Sequence, residues 1–137
     1  MEKYIHKVKY YETDKMGITH HSNYVRWMEE ARLDFFDQIG LGYKQLEAEG
    51  IISPVMGIEC DFKGTTTFDD RIEITVGVES FNGVILVMDY SMANAEDLKP
   101  VCTGKSRHCF VNRDGRPIIL KKLYPGLDAR LRELAGG

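Results

Sequence analysis

Residues 22–40 constrain the fold more than any other stretch. Tyr24, Met28, Ala31, Phe35 and Ile39 recur at spacings of four, three, four and four, the period of an α-helix. Val25, Trp27, Leu33 and Phe36 widen that stripe well beyond one face. A helix so broadly apolar must be wrapped by other elements rather than laid on a surface. Gly40 and Gly42 end it, and a short helical segment over about 43–49 follows before Gly50.

The rest of the chain reads mainly with a period of two. Residues 4–11 alternate Tyr4, His6, Val8 and Tyr10 with Ile5, Lys7, Lys9 and Tyr11 and predict a first strand. Three runs then alternate apolar and polar: Met56–Phe62, Ile72–Val78 and Leu86–Met92. Each predicts a half-buried strand with one face on a core. Asn82-Gly83 separates the second and third runs as a hairpin signal, since both residues tolerate positive φ. A last long strand is expected over about 101–112, with Asp114-Gly115 as its turn and Pro117–Leu120 as a short return. Pro125 suits the first turn of a closing helix carrying Leu127, Leu131 and Leu134. The expected class is α+β: a strand, a buried helix, then an antiparallel meander of about four strands. A curved five-stranded sheet wrapped around the long helix, the hotdog arrangement, satisfies both burial demands. Other α+β arrangements satisfy the same pattern.

At 137 residues, one domain over 1–137 is expected. A formal charge of −3, with no basic stripe, argues against nucleic acid as a partner. No run approaches a membrane span, and the charged start lacks a leader's apolar segment. Cys60, Cys102 and Cys109 are odd in number and lack CxxC spacing, which predicts reduced structural thiols and a cytoplasmic location.

Directly before the buried helix lies Tyr11-Glu12-Thr13-Asp14-Lys15-Met16-Gly17-Ile18-Thr19-His20-His21-Ser22-Asn23-Tyr24. A carboxylate just ahead of a helix start is a catalytic opportunity. The helix N-terminus offers unpaired N–H groups and partial positive charge for an oxyanion, while the acid attacks or activates water. The spacing of Tyr11, Thr13-Asp14, Gly17, His21 and Asn23-Tyr24, followed by Arg26, Glu29, Ala31 and Arg32, resembles the signature of the 4-hydroxybenzoyl-CoA thioesterase family. The acyl-CoA thioesterases associated with the Tol–Pal system form a close branch of it. The resemblance implies a hotdog acyl-CoA thioesterase that hydrolyses its thioester to a free acid and coenzyme A. It implies Asp14 as catalytic residue and the backbone N–H at His21 as the carbonyl polariser. It also implies coenzyme A lying along a subunit interface, in a homodimer or homotetramer. Coenzyme A enters as part of the substrate, and no other cofactor is implied.

The residues alone leave more open. Asp14 can attack directly or deprotonate water, and as a loop aspartate it can equally cap a turn. Gly17 lets the loop turn tightly. Tyr24 either packs in the core or lines an acyl pocket, and Asn23 suits a helix-start hydrogen bond better than chemistry. As substrate-binding candidates, Gly17, Asn23 and Tyr24 stand beside the catalytic pair Asp14 and His21. Glu29 and Glu30 are competing acids, expected to face solvent or pair with Arg26 and Arg32. His6, His20, His21 and Asp14 lack the spacing of a metal site. Lys63, Arg71, Lys105 and Arg107 are available for phosphates but equally serve solubility. A dehydratase or hydratase of acyl thioesters, using His20 or His21 with Glu29, and a non-catalytic acyl-CoA binding module are the alternative functions. The acyl group is not readable from the aromatic residues Tyr24, Trp27, Phe62 and Phe68.

Overall fold

In the computed structural model, which describes residues 2–136, the broad apolar stripe becomes α1, Ser22–Gln38. Gly40 follows it at φ +85°, a left-handed conformation that stops the helix without a Cβ clash. Gly42 caps the short α2, Tyr43–Ala48. Trp27, Met28, Ala31, Phe35 and Phe36 of α1 are all buried.

Five strands surround that face: β1 (Tyr4–Lys7), β2 (Val55–Phe62), β3 (Arg71–Phe81), β4 (Leu86–Asn94) and β5 (Pro100–His108). They form one antiparallel sheet in the order β1-β3-β4-β5-β2. Only β3, β4 and β5 make a meander; β2 instead pairs outside β5 and becomes an edge, which corrects the expected four-strand meander. Ile72 and Ile74 of β3, Leu86, Met88, Tyr90 and Met92 of β4, and Cys102 of β5 turn inward. The intervening Glu73, Thr75, Asp89, Ser91 and Lys105 are polar and line the outer face. Breaks in register within β2, β3 and β4 bend the strands. Gly104 of β5 lets the helix come close, because a Cβ there would lie 3.1 Å from Met28 Cε and 2.7 Å from the Glu59 carbonyl.

Three strand expectations change. The first strand stops at Lys7, and Tyr10–Glu12 forms a 3-10 turn. The Glu12 carboxylate accepts the Lys9 N–H at 2.7 Å and so closes the turn. The last strand ends at His108, four residues early, and Val111 keeps only isolated bridges to Ile52 and Pro117. The expected return at Pro117–Leu120 is present but short: Pro117 bridges Val111 and the Ile118 N–H donates to Phe110 O at 3.0 Å, before the short α3, Leu120–Leu123, and then α4, Pro125–Leu134, with proline in its first turn. At the β3–β4 hairpin Gly83 has φ +96°, but Asn82 acts through its side chain. Its Oδ1 accepts the N–H groups of Val84 and Ile85 at 2.9 and 2.7 Å.

β2 departs most from a half-buried pattern. Val55, Met56, Ile58 and Phe62 are exposed. The alternation is present, but its apolar side chains sit on a sheet edge that the single chain leaves uncovered.

Candidate active site

The loop before α1 is a tight hairpin. Thr13 and Thr19 form a bridge. The Asp14 N–H donates to Ile18 O at 2.8 Å, and the Gly17 N–H donates to Asp14 O at 3.0 Å. Gly17 takes φ +77° to make this turn, so its glycine is required by backbone shape. Asp14 is half-buried. Its Oδ1 accepts the Met16 N–H at 2.8 Å, a contact that fixes the carboxylate and holds the turn.

The hairpin leads straight into α1. The His20 N–H donates to Glu12 O at 2.8 Å, so the strand carrying Asp14 and the residues entering the helix lie side by side. The Asn23 and Tyr24 N–H groups close on the carbonyls of His20 and His21 at 3.0 and 3.2 Å. The Ser22 N–H reaches His20 Nδ1 at 3.3 Å. The His21 N–H finds no hydrogen-bond acceptor among the described residues. The His21 side chain is exposed, stacked on His20 with ring centroids 4.4 Å apart.

Other predicted residues have partners inside the chain. Asn23 donates its Nδ2 to Glu12 O and His20 O at 3.0 and 3.2 Å, bracing the loop against the helix. Tyr24 is buried at 3% exposure. Its hydroxyl lies 3.2 Å from Thr66 Oγ1, which in turn is 2.6 Å from Thr19 Oγ1. Burial pushes the Tyr24 phenol up from its ordinary pKa, so it remains protonated at neutral pH. The Tyr24 ring stands 5.5 Å from that of Phe62, and Thr67 Oγ1 donates to Gly17 O at 2.8 Å. The segment around Thr66 thus forms the far wall of the loop.

Sequence reasoning missed Glu12. Its side chain is buried, with Oε1 2.8 Å from His6 Nε2 and Oε2 accepting the Trp27 Nε1–H at 2.8 Å. Burial pushes this carboxyl up. The hydrogen bonds from His6, Lys9 N–H and Trp27 outweigh that and hold it below the ordinary range, so Glu12 is a buried carboxylate. A buried Trp needs an acceptor for its N–H, which was the available signal. It did not say which acid would answer.

The competing acids Glu29 and Glu30 are exposed, as expected. Glu30 Oε2 lies 2.9 Å from His6 Nδ1 instead of pairing with an arginine of its own helix. Arg32 is buried, and it donates to the hydroxyls of Tyr43 and Tyr90 at 3.3 Å each. Lys105 pairs with Glu79 on the outer face of the sheet. All three cysteines are unpaired. Burial pushes the Cys102 thiol up to about 12 and the Cys60 thiol also up, which disfavours a thiolate at either. Among the described residues no group of three or more His, Cys, Asp or Glu side chains is placed to hold a metal. No helix among them is long and apolar enough to cross a membrane.

Two concavities lie elsewhere. One of about 520 Å³ is bounded by Lys63, Asp70, Asp97 and Lys99, and one of about 400 Å³ sits against Gly57, Glu79 and Arg107. Around Asp14 and His21 the chain instead presents an open surface with Tyr10, Tyr11, Met16, Phe62 and Phe68 exposed.

Comparison with known proteins matches residues 8–131 to the family described as the Thioesterase-like superfamily. The acyl-CoA thioesterase YbgC of Helicobacter pylori is 30% identical over 132 residues, covering 88% of this chain and 95% of that protein. The crystal structure of a DHNA-CoA thioesterase from Staphylococcus aureus superposes with a TM-score of 0.90 at 30% identity, covering 93% of this chain and 86% of that one. A 1,4-dihydroxy-2-naphthoyl-CoA thioesterase from Synechocystis shares the fold with a TM-score of 0.83 at 15% identity, over 93% and 95% of the two chains. Five antiparallel strands around one long helix are thus the hotdog fold, and this chain belongs to the Thioesterase-like superfamily.

Proposed function

We propose that this protein is an acyl-CoA thioesterase in which Asp14 is the nucleophile or general base and the His21 N–H binds the carbonyl oxygen. The observation that carries this reading is the free His21 N–H at the start of α1, beside the hairpin that bears Asp14. As a thioester carbonyl is attacked, its oxygen gains negative charge. A fixed N–H at the positive end of a helix stabilises that charge, an effect of about 2.7–4 kcal/mol per donor elsewhere. Asp14 supplies the other half. It either attacks the carbonyl carbon to form a mixed anhydride that water then cleaves, or takes a proton from the attacking water. In both routes coenzyme A leaves as the thiol. Gly17 keeps the turn tight, Asn23 braces the helix start, and the exposed Phe62 ring, backed by the buried Tyr24 ring, borders the acyl group.

A single chain offers the substrate one open wall. The exposed apolar edge of β2 and the uncovered aromatic surface near Asp14 support a homodimer or homotetramer, with the substrate between subunits. We read residues 1–137 as one domain. Three unpaired cysteines fit a reducing cytoplasm.

The test is release of free thiol from acetyl-, palmitoyl- and benzoyl-CoA by wild type, Asp14→Asn and His21→Ala. The aromatic substrate is included because the staphylococcal relative is named for one. Asp14→Asn is expected to lower kcat at least 100-fold on whichever substrate turns over. His21→Ala keeps its amide and is expected to lose less than tenfold. Equal losses in both variants point instead to imidazole chemistry, and full activity of Asp14→Asn refutes the assignment. Conversion to an enoyl thioester without thiol release marks a dehydratase.

A further inference from the structure

We infer that Glu12 is a positioning residue for the reaction, holding the hairpin of Asp14 in register with the start of α1. The inference rests on the assignment of Asp14 above. Glu12 stands two residues before Asp14, and both ends of the residue are engaged. Its carboxylate, 5% exposed as a residue, meets three donors from three parts of the fold: His6 of β1 at 2.8 Å, the Lys9 N–H of the 3-10 turn at 2.7 Å and Trp27 of α1 at 2.8 Å. Its carbonyl accepts the His20 N–H at 2.8 Å and Asn23 Nδ2 at 3.0 Å. The first set fixes Glu12 against the core; the second hangs the residues entering the helix from Glu12. Asp14 and the His21 N–H therefore share one anchor.

The charge arrangement supports this. A buried carboxylate is costly unless hydrogen-bond donors meet its oxygens, and here three donors reach them, with both oxygens engaged. His6 also faces Glu30, at 2.9 Å from Nδ1, and its ring lies on Trp27 with centroids 4.4 Å apart. Glu12 and Glu30 thus grip both nitrogens of one imidazole. The chain of contacts runs from the helix surface at Glu30, through His6 and Glu12, to Trp27. Core packing of Trp27 alone asks only for an acceptor. It does not ask for a charged one with three donors, placed beside the catalytic turn.

The experiment is free-thiol release by Glu12→Gln in the wild-type and Asp14→Asn backgrounds, on the same three acyl-CoA substrates, with melting temperatures measured alongside. Gln keeps the shape but turns an N–H₂ toward a donor, so one anchoring bond must break. Displacement of a reacting group by about 1 Å costs up to about 100-fold. Glu12→Gln is expected to lower kcat about 10–100-fold with KM within about threefold. In the Asp14→Asn background the same change is expected to have no further effect on the residual rate. His6→Asn, which removes one donor and spares the carboxylate, is expected to lower kcat about 3–10-fold and serves if Glu12→Gln does not fold. Unchanged kcat in both variants, with a lower melting temperature only, overturns the inference while leaving Asp14 in place. An equal fold-loss in both backgrounds overturns it too, because Glu12 then acts independently of Asp14. Full activity of Asp14→Asn alone removes the assignment on which the inference rests.

Discussion

His108, wholly buried at the end of β5, carries the clearest consequence for stability of any one residue. Its Nε2 is 2.7 Å from Ser106 Oγ, which continues to the Tyr90 hydroxyl at 2.6 Å and from there to Arg32. Burial, and then the charge of Arg32, lower its pKa from 6.5 to about 4. The folded protein therefore keeps this ring neutral where the unfolded chain protonates it. The unfolded state binds the extra proton between pH 6.5 and 4, so the stability present above that window is lost as pH falls through it. The slope is at most about 1.4 kcal/mol per pH unit. Urea midpoints measured from pH 7 to 4 are expected to fall, and His108→Asn is expected to flatten that decline. A wild-type midpoint that does not move across the window contradicts the assignment. At this scale the sequence was uneven. Asp14 and His21 stood out by spacing. Glu12 and His108 did not, because burial and donor geometry, not residue type, make them distinctive.

Among elements, one glycine of β5 leaves room for a side chain of α1. Gly104 lies opposite Met28, and a Cβ there meets both that side chain and the Glu59 backbone. Met28 can move, but the strand carbonyl at 2.7 Å cannot do so without disturbing the β2–β5 pairing. Gly104→Ala is expected to cost about 1–3 kcal/mol, as overpacking in a tight core does. The readout is a lower melting temperature with kcat per folded molecule within twofold of wild type; an unchanged melting temperature shows that the sheet relaxes freely. The elements themselves were largely legible. A helix expected over 22–40 runs Ser22–Gln38, and the Met56, Ile72 and Leu86 runs each became strands. Their ends were less so. Alternation continues past Lys7 in the sequence, yet the Glu12 carboxylate captures the Lys9 N–H and turns the chain.

At the scale of the whole molecule, β2 is decisive. It pairs with β5 rather than with its sequence neighbour β3, which leaves its other edge free within this chain. Met56 stands on that strand at 48% exposure, and Phe62 and Ile58 continue the apolar row. A second subunit seated there would bury them and close the open wall near Asp14. Met56→Glu is expected to shift the protein toward monomer in light scattering at micromolar concentration. Thiol release is expected to fall with it and to recover as protein concentration rises. A wild type that is monomeric throughout refutes the interface. Sequence by itself determined the periods: a helix with a broad apolar stripe, strands that alternate, and an acid placed ahead of a helix start. These are local, since side-chain spacing along a backbone of known rise needs no distant partner. Tertiary structure alone decided which strand became the edge, which carboxylate was buried and which amide was left free. Each of those depends on groups far apart in the chain meeting in one place, and no local pattern records such a meeting.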